Sequence, residues 1–224
     1  MIPGLSVVIP ALNASTSLPA ALAALGDMPA EVVVVDGGST DGTADLAAQL
    51  GALVVRAPRG RGGQLAAGVA AARGPWLLLL HADTMLAPGW ADAVRDAMRD
   101  LGQAAYFRFA LDDAALAARR LERAVAWRCR VLALPYGDQG LLIHRDLLAA
   151  VGGIRPLPLM EDVDLIRRLG RARLASLPVA AVTSAARWRD QGYLRRSARN
   201  LGCLALFFLG VPPRIIARLY AGKG

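Results

Sequence analysis

Apolar and polar positions fall in alternating blocks through the first hundred residues. Leu5–Ile9 is a short apolar run that predicts a buried strand, stopped by Pro10. The alanine- and leucine-rich segment Ser15–Leu25 predicts a helix with Ser15 or Thr16 as its cap. Glu31–Val35 is β-branched and ends in Asp36, Gly37 and Gly38 turn the chain, and Thr40 or Asp41 opens a second helix reaching Leu50. A third strand over Ala52–Val55 leads into a glycine- and arginine-rich loop, Pro58–Gly63, then a helix over Gln64–Ala72. Trp76–Leu80 carries four consecutive leucines, the mark of a strand buried on both faces, and runs straight into His81-Ala82-Asp83. An amphipathic helix over Pro88–Leu101 closes the series.

Strand and helix alternating at such short intervals predict βαβ units and a parallel sheet. Beyond Leu101 the pattern changes without a linker. Strands are expected over Ala105–Leu111, Gly140–Ile143, Leu174–Leu177 and Val179–Val182. Helices are expected over Ala114–Leu132, Glu161–Leu169, Tyr193–Leu209 and Pro213–Tyr220. The expectation is one α/β domain over residues 1–224: a mostly parallel nucleotide-binding half (1–101), a mixed acceptor-side half (102–190) and C-terminal helices (191–224).

Composition narrows the picture. At 55% hydrophobic residues the chain can bury a sizeable core, which excludes a disordered protein. Its two cysteines, Cys129 and Cys203, make no disulfide framework and fit a reducing compartment. The N-terminal segment lacks the basic start and apolar run of a signal peptide. The apolar stretch Leu201–Val211 is shorter than the roughly 20 residues that cross a bilayer. A cytoplasmic protein is expected, with peripheral contact at the inner face of the membrane as an option. The net charge of +8 is uneven: residues 1–113 hold 7 basic and 11 acidic side chains, residues 114–224 hold 19 and 7. The second half is therefore the anion-friendly region, by arginine rather than lysine, since Lys223 is the only lysine. Nothing interleaves these arginines with aromatics as nucleic-acid binding would require.

The strand ends carry the candidate chemistry. In an open parallel sheet, ligands sit outside the carboxyl ends of the strands, where Asp36 and Asp83 fall. Asp83 is placed either to hold a metal or phosphate-bearing ligand or simply to start a turn. Two nucleotide signatures are missing. Pro10-Ala11-Leu12-Asn13 follows the first strand without the glycines of a dinucleotide fingerprint, and no phosphate-binding G-x-x-x-x-G-K exists.

VVIPALN, VVVVDGGSTDGT, the glycine–arginine loop, LLLLHADT and MEDVDL, in this order over about residues 4–170, resemble the family 2 glycosyltransferases of GT-A fold. YGDQG before PLMEDVDL resembles small bacterial members, some of them assigned to arsenosugar biosynthesis. The resemblance implies an inverting glycosyltransferase using a nucleotide-sugar, UDP-linked, donor, a hydroxyl acceptor and a divalent Mg²⁺ or Mn²⁺. It implies that Pro10, Ala11, Asn13 and Asp36 line the nucleotide pocket, that Arg61 and Gln64 meet the base or diphosphate, and that Arg187 neutralises the departing diphosphate. Asp83 would hold the metal. His81 stands where the family's metal motif has another aspartate, as a hydrogen-bond donor behind the ion, a bias towards Mn²⁺, or a packed strand-end histidine. Asp162 would be the base, with Glu161 and Asp164 as like charges raising its pKa; the same acids also suit the first turn of a helix. Asp138, with Gly137 and Gln139 beside it, would face the acceptor or orient Asp162, and Trp188 would lie on the acceptor side.

Arg195, Arg196, Arg199, Arg214 and Arg218 flank the apolar C-terminal run. They suit a helix packing Leu204, Phe207 and Phe208 into the core, a membrane-interface helix, or a dimer contact. Two other functions compete: a sugar-nucleotide nucleotidyltransferase, which PALNAS fits poorly, and a non-catalytic nucleotide-sugar-binding protein in which His81 marks a lost metal site.

Overall fold

A computed structural model of the chain describes residues 1–221, so Lys223 lies outside the described residues. One eight-stranded sheet holds β1 (Ile2–Ala11), β2 (Pro29–Asp36), β3 (Leu53–Arg56), β4 (Trp76–Leu79), β5 (Thr84–Leu86), β6 (Ala104–Leu111), β7 (Leu141–His144) and β8 (Leu174–Thr183). Their order across it is β3-β2-β1-β4-β7-β6-β8-β5. The first four strands pair in parallel, as the alternating pattern predicts. From β4 onward the sheet is mixed: β7 runs antiparallel to β4 and β6, β6 parallel to β8, and β5 antiparallel to β8.

Ten helices cover the sheet among the described residues: α1 (Leu18–Leu25), α2 (Thr43–Gln49), α3 (Arg61–Ala71), α4 (Trp90–Ala97), α5 (Leu116–Leu132), α6 (Arg145–Ala150), α7 (Glu161–Leu169), α8 (Ala186–Gln191), α9 (Tyr193–Phe208) and α10 (Pro213–Ala221). The β4 leucines explain the two layers. Leu78 and Leu80 join Val7, Ile9, Phe107 and Trp90 on one face, while Leu77 and Leu79 join Val8, Ile143 and Ile166 on the other. Strand periodicity sends alternate residues to opposite faces, so an unbroken apolar run is what a strand covered on both sides needs. Gly68 brings α3 onto this sheet: a Cβ there would stand 2.4 Å from Val8 Cγ1 and 2.7 Å from Val35 Cγ2.

Several boundaries differ from the sequence expectation, each for a physical reason. Pro10 does not stop β1, which runs on to Ala11. Val8 O accepts from Leu80 N on the β4 side and Ala11 O from Gly37 N on the β2 side, so Pro10 turns its missing donor toward β4, whose pairing ends at Leu79. The two strands expected around Pro178 are one, β8, because the pairing with β6 slips between Tyr106 and Arg108 and leaves the proline in the irregular stretch. Ser17 rather than Ser15 or Thr16 precedes α1, without a side-chain cap bond. Arg61 opens α3 instead of lying in the loop before it. β5, α6 and α8 were not foreseen, being too short to show a period. At the C-terminus Leu204 is buried and Phe207 packs on the core, but Phe208 remains 47% exposed beneath the Arg167 guanidinium. Exposed Leu201, Leu209, Ile215 and Leu219 continue that face. No described helix is long and apolar enough to cross a membrane.

Candidate active site

The carboxyl ends of β1 and β4 open into a cleft with two lobes. Pro10, Ala11, Asn13, Arg59 and Gln64 line one lobe of about 300 Å³. Tyr136, Asp138, Asp162, Trp188 and Arg196 line the other, of about 270 Å³. Arg61, His81, Asp83 and Arg187 border both.

The first lobe is stitched together by main chain. Asn13, in the left-handed region at φ 49°, accepts Thr40 N–H at 2.9 Å and donates its own N–H to Ser39 Oγ at 2.9 Å. Ala14 and Ser15 N–H donate to Thr43 Oγ1 and Asp41 Oδ2 at 2.8 and 3.0 Å, tying the exit loop of β1 to that of β2. Gln64, expected to meet the base or diphosphate, is instead a brace: its Nε2 donates to Ala11 O and Val35 O, both at 2.8 Å. Asp36 is 4% exposed and accepts Gly38 and Ser39 N–H at 3.1 and 3.2 Å. It opens on a neighbouring pocket with Ser39, Arg56 and Pro58 rather than on the lobe of Pro10 and Asn13. The other residues expected on the donor side do meet in one lobe.

At the boundary sits Arg61, the N-terminal residue of α3. Its Nε donates to Glu161 Oε1, Nη1 lies 3.2 Å from His81 Nε2, and Nη2 lies 3.5 Å from Asp162 Oδ2. Arginine has no acceptor, so His81 Nε2 must accept, which leaves the proton on Nδ1. Burial, followed by the charge of Arg61, lowers the His81 pKa to about 4, so the ring is neutral. In this tautomer Nε2 is engaged by Arg61, and Nδ1–H is the nitrogen left to donate. Burial of Glu161 raises its pKa. For Asp162 burial acts upward as well, but Arg61 and the N–H groups of Gly137 and Val163 outweigh it and hold the carboxyl below its ordinary value. Asp164 supplies no like charge of consequence, since it pairs with Arg155 and Arg168 at 2.9 and 2.8 Å.

The YGDQG segment forms a short turn between α5 and β7. Gly137 N–H donates to Asp162 Oδ2 at 2.8 Å, and a Cβ on Gly137 would come within 2.7 Å of His81 Nε2. Only glycine lets this turn close on both residues. Asp138 lines the second lobe, one oxygen buried without a partner, and burial raises its pKa to about 6. Gln139 points away from the lobe: its Nε2 donates to Phe107 O at 3.0 Å, and its Oε1 accepts from Tyr136 N at 3.2 Å. It braces the turn. Trp188, 8% exposed, stacks on Tyr193 with centroids 5.8 Å apart.

Asp83 differs from these neighbours. Its carboxylate takes part in no hydrogen bond or ion pair among the described side chains, and it borders both lobes. Among the described residues no three His, Cys, Asp or Glu side chains cluster as a complete metal cage. The donor set fits a hard divalent cation that takes most of its oxygens from a bound diphosphate and water.

The family model of glycosyl transferase family 2 matches residues 6–146. The chain belongs to glycosyl transferase family 2. Over 87 residues it is 47% identical to uncharacterized glycosyltransferases of Mycobacterium tuberculosis and Mycobacterium bovis. That match spans 38% of this chain and 38% of the length of these curated relatives. Glucosyl-3-phosphoglycerate synthase from Mycobacterium tuberculosis, solved with Mn²⁺ and uridine-diphosphate-glucose, superposes with a TM-score of 0.63 at 22% identity, over 93% of this chain and 79% of that one. S. aureus TarS, residues 1–349, gives 0.62 at 18% identity over 83% and 61%. At such identities the likeness is one of fold, and it agrees with the GT-A architecture implied by the motifs.

Proposed function

We propose that this family member is an inverting glycosyltransferase, moving a sugar from a UDP-linked donor to a hydroxyl acceptor. The observation that carries the reading is the free Asp83 carboxylate on the wall between the lobes, with Arg61 and Arg187 bordering both and Asp162 in the second. Residues 1–101 supply the donor lobe, 102–190 most of the acceptor lobe, and the helices from 191 onward its outer wall. Pro10, Ala11 and Asn13 receive the nucleoside. Asp36 meets the base or ribose where the nucleoside extends from this lobe into the neighbouring pocket of Ser39, Arg56 and Pro58. Arg61 and Arg187 face the diphosphate.

Asp83 would hold a Mg²⁺ or Mn²⁺ ion together with donor phosphate oxygens, and such an ion supplies charge neutralisation at the leaving group. The acceptor hydroxyl oxygen attacks the anomeric carbon, the bond from that carbon to the diphosphate oxygen breaks, and the electron pair leaves with UDP. The hydroxyl proton goes to Asp162. A carboxylate held low is a weak base, so its proton arrives late, as the forming bond acidifies the hydroxyl. Glu161 keeps Arg61 in place, while Asp138 and Gly137 orient the acceptor side.

One displacement inverts the anomeric centre. NMR of the product tests this, and a product that retains the donor's configuration sinks the mechanism. Calorimetric titration of UDP with and without Mn²⁺ should show metal-dependent binding that Asp83→Asn weakens at least about tenfold. Binding that ignores both the metal and the substitution, with no donor turnover, returns the non-catalytic reading. A cytoplasmic location is part of the proposal. The exposed apolar residues of α9 and α10, flanked by arginines, form a peripheral membrane or dimer face that co-sedimentation with anionic liposomes would reveal.

A further inference from the structure

The outer end of the acceptor lobe contains arginines that form no ion pair among the described residues, although the Asp83 carboxylate borders the same lobe. Arg196 and Asn200 of α9, with Tyr220 of α10, line that lobe and not the donor lobe. Arg187 of α8 borders both. The ion pairs among the described residues include neither Arg187, Arg196 nor the neighbouring Arg199. Arg196 donates Nη1 to a neutral partner, Gln191 Oε1, at 3.0 Å, and its guanidinium lies 5.0 Å over the Trp188 ring. Its Nε is buried without a partner, as is that of Arg199. Burial lowers the Arg196 pKa; Tyr220 and Asp83 act against this, while Arg187 and Arg199 add to it, so these cations are close enough to repel one another. Elsewhere the half-buried arginines of this protein are neutralised or spent: Arg168 pairs with Asp164 at 2.8 Å, and Arg145 donates to three backbone carbonyls.

We propose that Arg196, Asn200 and Arg187 form an anion subsite, and that the hydroxyl acceptor carries a phosphate or carboxylate group seated there. The assignment to an acceptor rests on the glycosyltransferase reading; the anion subsite itself does not. The guanidinium of Arg196 offers Nη2 to an oxygen of the acid group, and the amide of Asn200 offers a second donor. Binding relieves the repulsion among the cations. It also fixes the acceptor by its acid group, leaving its hydroxyl for the Asp162 end of the same lobe.

The test is calorimetric titration of inorganic phosphate into the full chain saturated with UDP and Mg²⁺, which fills the donor lobe. Phosphate should still bind, Arg196→Gln should weaken it at least about tenfold, and UDP affinity should stay unchanged. Absence of phosphate binding to the UDP-loaded protein overturns the subsite, and so does equal affinity in Arg196→Gln. Asn200→Ala, a milder change, should cost about threefold or more. If Arg196→Gln does not fold, unaltered phosphate affinity in Asn200→Ala overturns the proposal instead. Failure of UDP to bind at all counts against the glycosyltransferase reading. Phosphate binding to UDP-free protein that is sensitive to Arg196→Gln would then still support the subsite. Phosphatidylcholine vesicles with and without phosphatidic acid separate the sources. Competition only by the acidic vesicles points to a lipid phosphate, and none, with phosphate bound, to a soluble acid; either supports the subsite.

Discussion

The lobe we assign to the donor and the lobe we assign to the acceptor share a wall but differ in what holds them. In the donor lobe the polar side chains are spent on backbone: Gln64 spans the ends of β1 and β2, Asn13 and Asp36 collect N–H groups, and Asp41 ties two loops. Such a site is rigid before any ligand arrives. In the acceptor lobe the side chains come from β7's preceding turn, α7, α8 and α9, and some stay unsatisfied, among them Asp138 Oδ1 and Arg196 Nε. Unpaired buried groups cost stability, so a protein keeps them where a ligand completes them. The contrast fits a shared donor chemistry on one side and a particular acceptor on the other.

The largest effect expected from breaking this contrast is on Asp162. Asp162→Asn should lower turnover by about 10²–10⁴-fold while UDP affinity, measured calorimetrically, stays within about twofold. Loss of UDP affinity instead would move Asp162 to the donor lobe. Next comes the ion pair that joins the lobes. Glu161→Ala removes the nearest partner of the Arg61 charge but leaves Asp162 at 3.5 Å, and because Arg61 is 36% exposed the cost falls below that of a fully buried pair, at about 2–3 kcal/mol in chemical denaturation. A cost within about 0.5 kcal/mol would mean Arg61 rearranges into solvent freely.

The smallest effect concerns Asp138. Burial raises its pKa from 3.8 to about 6, so the folded state binds the proton more tightly than the unfolded chain. That contribution is fully present below the unfolded pKa and is lost as pH rises from about 4 through about 6. Asp138→Asn, which cannot ionise, should flatten this part of the stability profile and make the protein more stable than wild type at pH 8 by roughly 1–2 kcal/mol. An unchanged slope between pH 4 and 6 would show that the carboxyl is hydrated in solution.

Legibility in the sequence followed the length and regularity of the elements. The span of α7, Glu161–Leu169, is readable to the residue because acids open it, arginines close it and a glycine follows. The β4 leucines announce a central strand for the same kind of reason. β5 has three residues and α8 six, too few to show a period, so Arg187 and Trp188 had roles suggested before they had an element to stand on. Gln64 and Gln139 show the other limit: an amide in a motif reads the same whether it meets a ligand or braces a turn, and only the positions of Ala11 O, Val35 O and Phe107 O distinguish the two.

The sequence by itself determined the parallel first half, the strand-end carboxylates Asp36 and Asp83, and the family, because these depend on local periodicity and on motifs contiguous in the chain. Tertiary structure alone decided how the charges are shared. Arg61 meets Glu161 from 100 residues away, contacts His81 Nε2, and holds Asp162 low, while Arg187 and Arg196 line one lobe without an ion pair among the described residues. Coulombic and hydrogen-bond partners are set by distance in space, and distance in space between remote segments is what a linear pattern does not record.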